Sequence, residues 1–360
     1  MGHSVTERVE SMLTTRVVRD LAADCGFDAA GIAAPFPKPE FARFQSWTER
    51  GLAGEMGYLT DQRRFLRNEP EKLLSGLKSI ICVGIVYNAP EPYSTAFPDA
   101  ERAWISRYAW GTDYHSLLRH KLEDFALKLL QIQDFSYGIC VDTAPLLERS
   151  FARQAGLGWI GRNTCLINQN LGSWLFLGEL LTTLELAPDA PPPDRCGTCT
   201  QCIDACPTAA IVPSPDGQFE LDSRLCISYF TIELRASIPE AQRPLLGHHV
   251  FGCDICQDVC PWNRRAATTG ESAFLPREVA PPLERMASLT EPEFRALFRD
   301  TPVSRAKYSG FLRNVAIAMG NARLEKFRAP LEKLAASPDP LVSEHAAWAL
   351  GMLPEAHHNR

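Results

Sequence analysis

Cys196-Gly197-Thr198-Cys199-Thr200-Gln201-Cys202-Ile203-Asp204-Ala205-Cys206-Pro207 strings four thiols together and ends on a proline. The spacing Cys-x2-Cys-x2-Cys-x3-Cys-Pro suits a pair of [4Fe–4S] clusters, because three close thiolates grip one cube while the fourth reaches a second. A later run, Cys253-Asp254-Ile255-Cys256-Gln257-Asp258-Val259-Cys260-Pro261, repeats the end of the motif with one cysteine missing, and Cys226 lies upstream to supply it. Two sets of four thiolates result. The crossover of such motifs assigns Cys196, Cys199, Cys202 and Cys260 to cluster A, and Cys206, Cys226, Cys253 and Cys256 to cluster B. Structural zinc also takes four thiolates, but zinc sites separate two Cys-x2-Cys pairs rather than string four cysteines together.

Outward from this block, Ala187-Pro188-Asp189-Ala190-Pro191-Pro192-Pro193-Asp194 can continue neither helix nor strand, since proline lacks the amide donor. It marks a boundary. Upstream, Thr6 to Ala23 has apolar residues at helical spacing with Gly26 as a stop, and Ile80 to Tyr87 is a β-branched run that reads as a buried strand. Tyr114 to Gln131 reads as a long helix, Ser136 to Asp142 as a second strand, and Pro145 as the first turn of a helix running to about Ala155. These signals predict an α/β or α+β domain over 1–187, a ferredoxin-like double [4Fe–4S] domain over 188–265, and an α-helical module over 266–360. Within that module, Val315-Ala316-Ile317-Ala318-Met319-Gly320 resembles Ala346-Ala347-Trp348-Ala349-Leu350-Gly351, which suggests a short HEAT-like repeat.

The chain has 360 residues, ample for more than one core, and its 45% hydrophobic and 22% charged residues are ordinary for a globular protein. A formal charge of −6 argues against coating nucleic acid non-specifically. Twelve cysteines in a secreted protein would suggest disulfides, but Met1 to Val18 is charged and has no apolar core of an export signal. The apolar stretch Trp174 to Leu186 is broken by Glu179 and Glu185 and is too short for a membrane span. A cytoplasmic protein, without membrane attachment and acting as a monomer, is expected. Met1 to Thr6 matches the loose myristoylation pattern, with nothing polybasic behind it to supply a second membrane signal. Cys25, Cys82, Cys140 and Cys165 lie on apolar segments and read as small buried hydrophobes.

The cluster block, with Cys226-Ile227-Ser228-Tyr229-Phe230-Thr231-Ile232-Glu233-Leu234 and Gly252 to Asn263, closely resembles epoxyqueuosine reductases. So do Ser106 to His115, Val141-Asp142-Thr143-Ala144-Pro145, Ala155 to Thr164 and Phe311 to Asn321, so the likeness covers nearly the whole chain. The resemblance implies an enzyme that uses cobalamin and electrons from two clusters to remove the epoxide oxygen of epoxyqueuosine in a tRNA anticodon loop, giving queuosine. It makes residues 1–187 the cobalamin-binding catalytic domain, requires an external low-potential electron donor, and maps the proton donor onto Asp142. A helix cap is the bland role for Asp142. Arg67 and Tyr108 carry over as cofactor contacts, and Ser228, Cys253 and Asp254 are placed beside the cofactor. His115 is a candidate for cofactor or substrate, although a histidine at a helix start is commonly just hydrogen-bonded. Asp113-Tyr114-His115-Ser116-Leu117-Leu118 lacks the glycine of the Asp-x-His-x-x-Gly motif, so base-off cobalamin without a histidine ligand is expected.

Reductive dehalogenases resemble this architecture too, but many carry a twin-arginine signal that is not seen here; a non-catalytic electron carrier would not need the long cofactor-domain match. Residues 287–333 hold nine Lys or Arg against five Asp or Glu, a local balance of +4. Arg305, Lys307 and Arg313 are therefore expected to reach tRNA phosphates, against the plainer reading of a solvated helix face.

Overall fold

The computed structural model describes residues 13–36 and 38–355. The myristoylation-like start and the first half of the expected opening helix lie outside the described residues. The remainder of that helix is α1 (Thr15–Asp24), capped by the Thr14 hydroxyl on the Val17 amide and stopped at Gly26, where φ is +80°.

Four strands, β1 (Ala29–Ala33), β2 (Ser79–Val86), β4 (Tyr137–Cys140) and β7 (Leu175–Thr182), form a sheet in the order β1-β2-β7-β4 with every pair antiparallel. The N-terminal unit is thus α+β. The near-continuous apolar run of β2 follows from burial on both faces. Ile81, Val83 and Ile85 face Val18 of α1 and Leu118, Leu122 and Phe125 of α4 (Tyr114–Leu130), while Ile80 and Cys82 face Phe151 and Ala152 of α5 (Glu148–Gln154). Each such aliphatic side chain contributes roughly 1.5–3 kcal/mol when fully buried. The helix expected from Pro145 begins three residues later. Val141 to Leu146 is taken up by tight turns, closed by Thr143 N–H to the Val141 carbonyl at 2.5 Å and Leu146 N–H to the Ala144 carbonyl at 2.8 Å.

The segments on either side of the 187/188 boundary interleave. β3 (Trp104–Ile105) pairs in parallel with β10 (His249–Phe251), and Trp104, Trp110, Phe251, Leu283, Phe311 and Val315 share one core. Arg50 donates to both carboxylate oxygens of Glu220 at 2.5 and 2.6 Å, and the Ile32 amide donates at 2.8 Å to Asp189 within the proline-rich linker. The cysteine block carries two one-turn helices, α6 (Gln201–Asp204) and α7 (Ile255–Asp258), and the hairpin β8 (Ile211–Pro213) with β9 (Phe219–Leu221). The two similar C-terminal sequences fall on α10 (Lys307–Ala322) and α12 (Pro340–Met352), which pack on each other. A Cβ on Gly320 would lie 2.8 Å from the Ala349 Cα, so the close crossing requires glycine.

Glu179 is the exception in the sheet core. It is 0% exposed on the α5 face of β7, opposite Cys82 and Cys140 on the neighbouring strands, and neither carboxylate oxygen has a hydrogen-bond partner. Burial, then the charges of Glu148 and Asp142, push its pKa well above the usual carboxylate range. The group is neutral in the fold but ionises in the unfolded chain above about pH 4.3, so stability is lost as pH rises from there toward the folded pKa. Glu179→Gln, which has nothing to ionise, should gain thermal stability over the parent at about pH 8 by a margin that shrinks toward about pH 5. Melting curves at the two pH values check this; equal margins would mean that Glu179 is already ionised in the folded protein.

Candidate active site

Cys196, Cys199, Cys202 and Cys260 line one cavity together with Trp262 and Arg162, although Cys260 is far along the chain from the other three. The remaining four converge on a second point. Burial, then neighbouring thiols, push Cys226 and Cys253 up, with Cys206 acting on both and Cys226 on Cys253; Cys256 is raised first by a hydrogen bond with Cys165, then by burial, with Cys253 and Cys226 adding to it. Main-chain donors already point at these sulfurs. The Ala210 amide lies 3.3 Å from Cys206 Sγ, and the amides of Ser228 and Tyr229 and the Ser228 hydroxyl aim at Cys226. Two convergent sets of four thiols, each within reach of N–H donors that favour thiolate, fit two [4Fe–4S] cubes. The position of Cys165 against Cys256 was not legible from the spacing, because Cys165 stands alone in its segment.

Asp142 sits in the turn between β4 and α5 with φ of +48°, a left-handed conformation that costs a non-glycine residue about 1 kcal/mol. It caps no helix, since α5 has Leu147 at its N-cap position and no side-chain cap bond. Its Oδ2 instead lies 3.0 Å from His115 Nε2, and Asp113 Oδ1 lies 2.6 Å from His115 Nδ1. Asp113 also accepts the His115 amide as the cap of α4, so the helix start fixes the imidazole. Tyr114 stacks on His115 and on Phe176 with centroids 4.2 and 4.1 Å apart. Burial opposes charge on His115, but the hydrogen bonds to Asp113 and Asp142 win and raise its pKa to about 9. Burial would likewise raise Asp142, yet the His115 bond and the Arg305 charge hold it below the usual range. At neutral pH the pair is a carboxylate and an imidazolium that share one proton.

Arg305 links this acid to the cluster segment. Its guanidinium is 2.6 Å from Glu233 and 3.9 Å from Asp142, and Tyr58 and Tyr108 complete its surroundings. Tyr108 packs on Phe251 and sits close to Gly252, next to Cys253. Arg67 is buried over the Phe44 ring, and its Nη1 has no partner.

Two expectations need correction. Arg313 is 1% exposed and donates to the carbonyls of Phe230, Leu234 and Ala236, so it clamps the segment after Cys226 and cannot reach a phosphate. The carbonyls it serves lie nearly eighty residues upstream or more, which the local charge count does not register. Asp254 is 2% exposed, and its carboxylate is engaged by Ser106, the Arg107 amide at 2.8 Å and Trp104 Nε1 at 3.3 Å. It holds the turn that carries Tyr108 rather than offering a free oxygen to a cofactor. Lys307, at the start of α10, is exposed.

Eight converging thiols beside a histidine-paired acid define an iron–sulfur oxidoreductase with a double-cluster domain. A family model for a 4Fe-4S double cluster binding domain matches residues 195–263, and one described as epoxyqueuosine reductase QueG matches residues 67–143. The chain is 40% identical over 340 residues to epoxyqueuosine reductase of Xanthomonas campestris, covering 92% of this chain and 94% of the relative, and 41% identical over 342 residues to that of Pseudomonas aeruginosa, covering 92% of each. It belongs to the epoxyqueuosine reductase family. Among solved structures it is similar to an epoxyqueuosine reductase with an epoxyqueuosine-modified tRNA-Tyr stem loop (30% identity, TM-score 0.80, 94% of this chain and 89% of that one). It is also similar to the Bacillus subtilis enzyme captured with its catalytic aspartate loop swung out of the active site (26% identity, TM-score 0.72, 94% and 98%).

Proposed function

We propose that this protein reduces epoxyqueuosine to queuosine at the wobble position of a tRNA anticodon, with Asp142 as the acid. The observation that carries the reading is the Asp142–His115 contact of 3.0 Å, joined through Arg305 to Glu233 on the segment that follows Cys226. Removing the epoxide oxygen as water consumes two electrons and two protons and leaves a carbon–carbon double bond. When bound, two [4Fe–4S] clusters and a cobalamin supply the electrons, taken from an external low-potential donor. Cys196, Cys199, Cys202 and Cys260 would hold one cluster, and Cys206, Cys226, Cys253 and Cys256 the other. Arg67, with its orphaned buried Nη1, and Tyr108 and Ser228 beside the second set of thiols, would meet the cobalamin. Both ring nitrogens of His115 are occupied by carboxylates, which favours base-off cobalamin with no histidine ligand.

Asp142 relays to the departing oxygen the proton it shares with the His115 imidazolium, while Arg305 steadies the carboxylate left behind. Lys307, exposed where α10 begins, and Arg305 at the rim of the site would contact the RNA. We assign 1–187 to the cobalamin-binding unit, 188–265 to the clusters and 266–360 to a HEAT-like buttress, working as a monomer in the cytoplasm. Among the described residues no helix is long and apolar enough to cross a membrane. Anaerobic incubation of the reconstituted protein with epoxyqueuosine-containing tRNA, a strong reductant and cobalamin should yield queuosine. Omitting cobalamin should abolish the product; equal product without it would exclude the cobalamin.

A further inference from the structure

The proposed chemistry leaves Glu148 unused, yet among the described residues it is the one side chain that holds the backbone of the proposed acid. Asp142 stands in a three-residue turn, φ +48°, closed by the 2.5 Å bond from Thr143 N–H to the Val141 carbonyl. Such turns are strained and persist only where the surroundings over-determine them. Here the Asp142 amide donates to Glu148 Oε1 at 2.8 Å. Glu148 is the first residue of α5, a helix fixed to the sheet by Phe151 and Ala152, both 0% exposed, and pinned at its start by Arg149 donating to the Thr164 carbonyl at 2.6 Å. The clamp therefore sits on a rigid element, and the residue it clamps sits on a loop.

We propose that Glu148 is a positioning residue for the deoxygenation, its carboxylate gripping the Asp142 amide so that the strained turn keeps the acid against His115. The inference rests on Asp142 being the acid. Glu148 has no other hydrogen-bond partner among the described residues, and α5 has no capping side chain that would give it a purely helical role. Its surroundings are costly for a carboxylate: burial, then the charge of Asp142, raise its pKa to about 7, against the lowering effects of the Asp142 amide, Arg149 and His115. Unpartnered Glu179 lies beneath the same helix and is itself raised by Glu148. A side chain kept at such a position in this arrangement does what a neutral acceptor could also do, namely take the Asp142 N–H.

The test compares Glu148→Ala, which removes the acceptor, with Glu148→Gln, which keeps an acceptor oxygen and cannot ionise. In the cluster-loaded protein without tRNA, Glu148→Ala should speed hydrogen exchange at the Asp142 and Thr143 amides by about tenfold or more, while Glu148→Gln stays near the parent. With epoxyqueuosine-modified stem loop and cobalamin, Glu148→Ala should lower kcat by roughly ten- to a hundredfold with KM little changed, and Glu148→Gln should restore most of it. Parent-like exchange and kcat in Glu148→Ala would overturn the proposal. A Glu148→Gln protein as slow as Glu148→Ala would overturn it too, because the charge or proton of Glu148 would then be what matters. If the parent itself makes no queuosine, the functional reading fails while the exchange arm still decides the clamp.

Discussion

Asp142→Asn should lose roughly two to four orders of magnitude in turnover while keeping both clusters, because the amide preserves shape and removes the transferable proton. The fold gives no reason for collapse, since the side chain is partly exposed and its main structural bond is made by its backbone amide. The same variant should change the pH profile. In the parent, His115 stays protonated up to about pH 9 because burial is outweighed by Asp113 and Asp142. Activity should therefore be held through neutral pH and fall as pH rises through about 9, where the shared proton is lost. With asparagine at 142, one of the two carboxylates supporting the imidazolium is gone, and the residual activity should fall at lower pH. Measurement of kcat/KM against pH on both proteins checks the pairing; an unmoved alkaline limb would mean that His115 does not share its proton with Asp142.

Cys260→Ser should remove one whole cluster while leaving the other, lowering iron from about eight to about four per chain. The cysteine lies in the second motif, yet it lines the cavity of Cys196, Cys199 and Cys202, so a serine there strips a ligand from a set formed far upstream. Iron content and the spectrum of the reduced protein check it. Two intact clusters in the variant would refute the crossed pairing.

The parts of this molecule that were legible in its sequence are those written in short-range pattern. The cysteine spacing, the doubly buried β2 and the helix from Tyr114 each rest on residues close together in the chain, and each stands where the pattern put it. The antiparallel order of the sheet, the parallel pairing of β3 with β10 and the burial of Arg313 depend on partners far along the chain or on another layer, which local charge and periodicity do not encode. Arg313 shows the cost. A basic cluster read as a phosphate-binding face contains a guanidinium spent on three carbonyls, so neutralising it would probe the fold rather than RNA affinity. Glu148 was invisible for the opposite reason. Its role lies in a hydrogen bond to a backbone amide, and nothing about a glutamate at a helix start distinguishes that from an ordinary first-turn acid.

The most direct test of the mechanism is a single anaerobic turnover, with the wobble nucleoside of an epoxyqueuosine-containing stem loop followed by mass spectrometry. Protein carrying both clusters and cobalamin, reduced beforehand, should convert the epoxide to queuosine with loss of one oxygen atom, and Asp142→Asn protein reduced to the same degree should leave it unchanged over the same time. Epoxyqueuosine that survives intact in the fully reduced parent protein would contradict the mechanism.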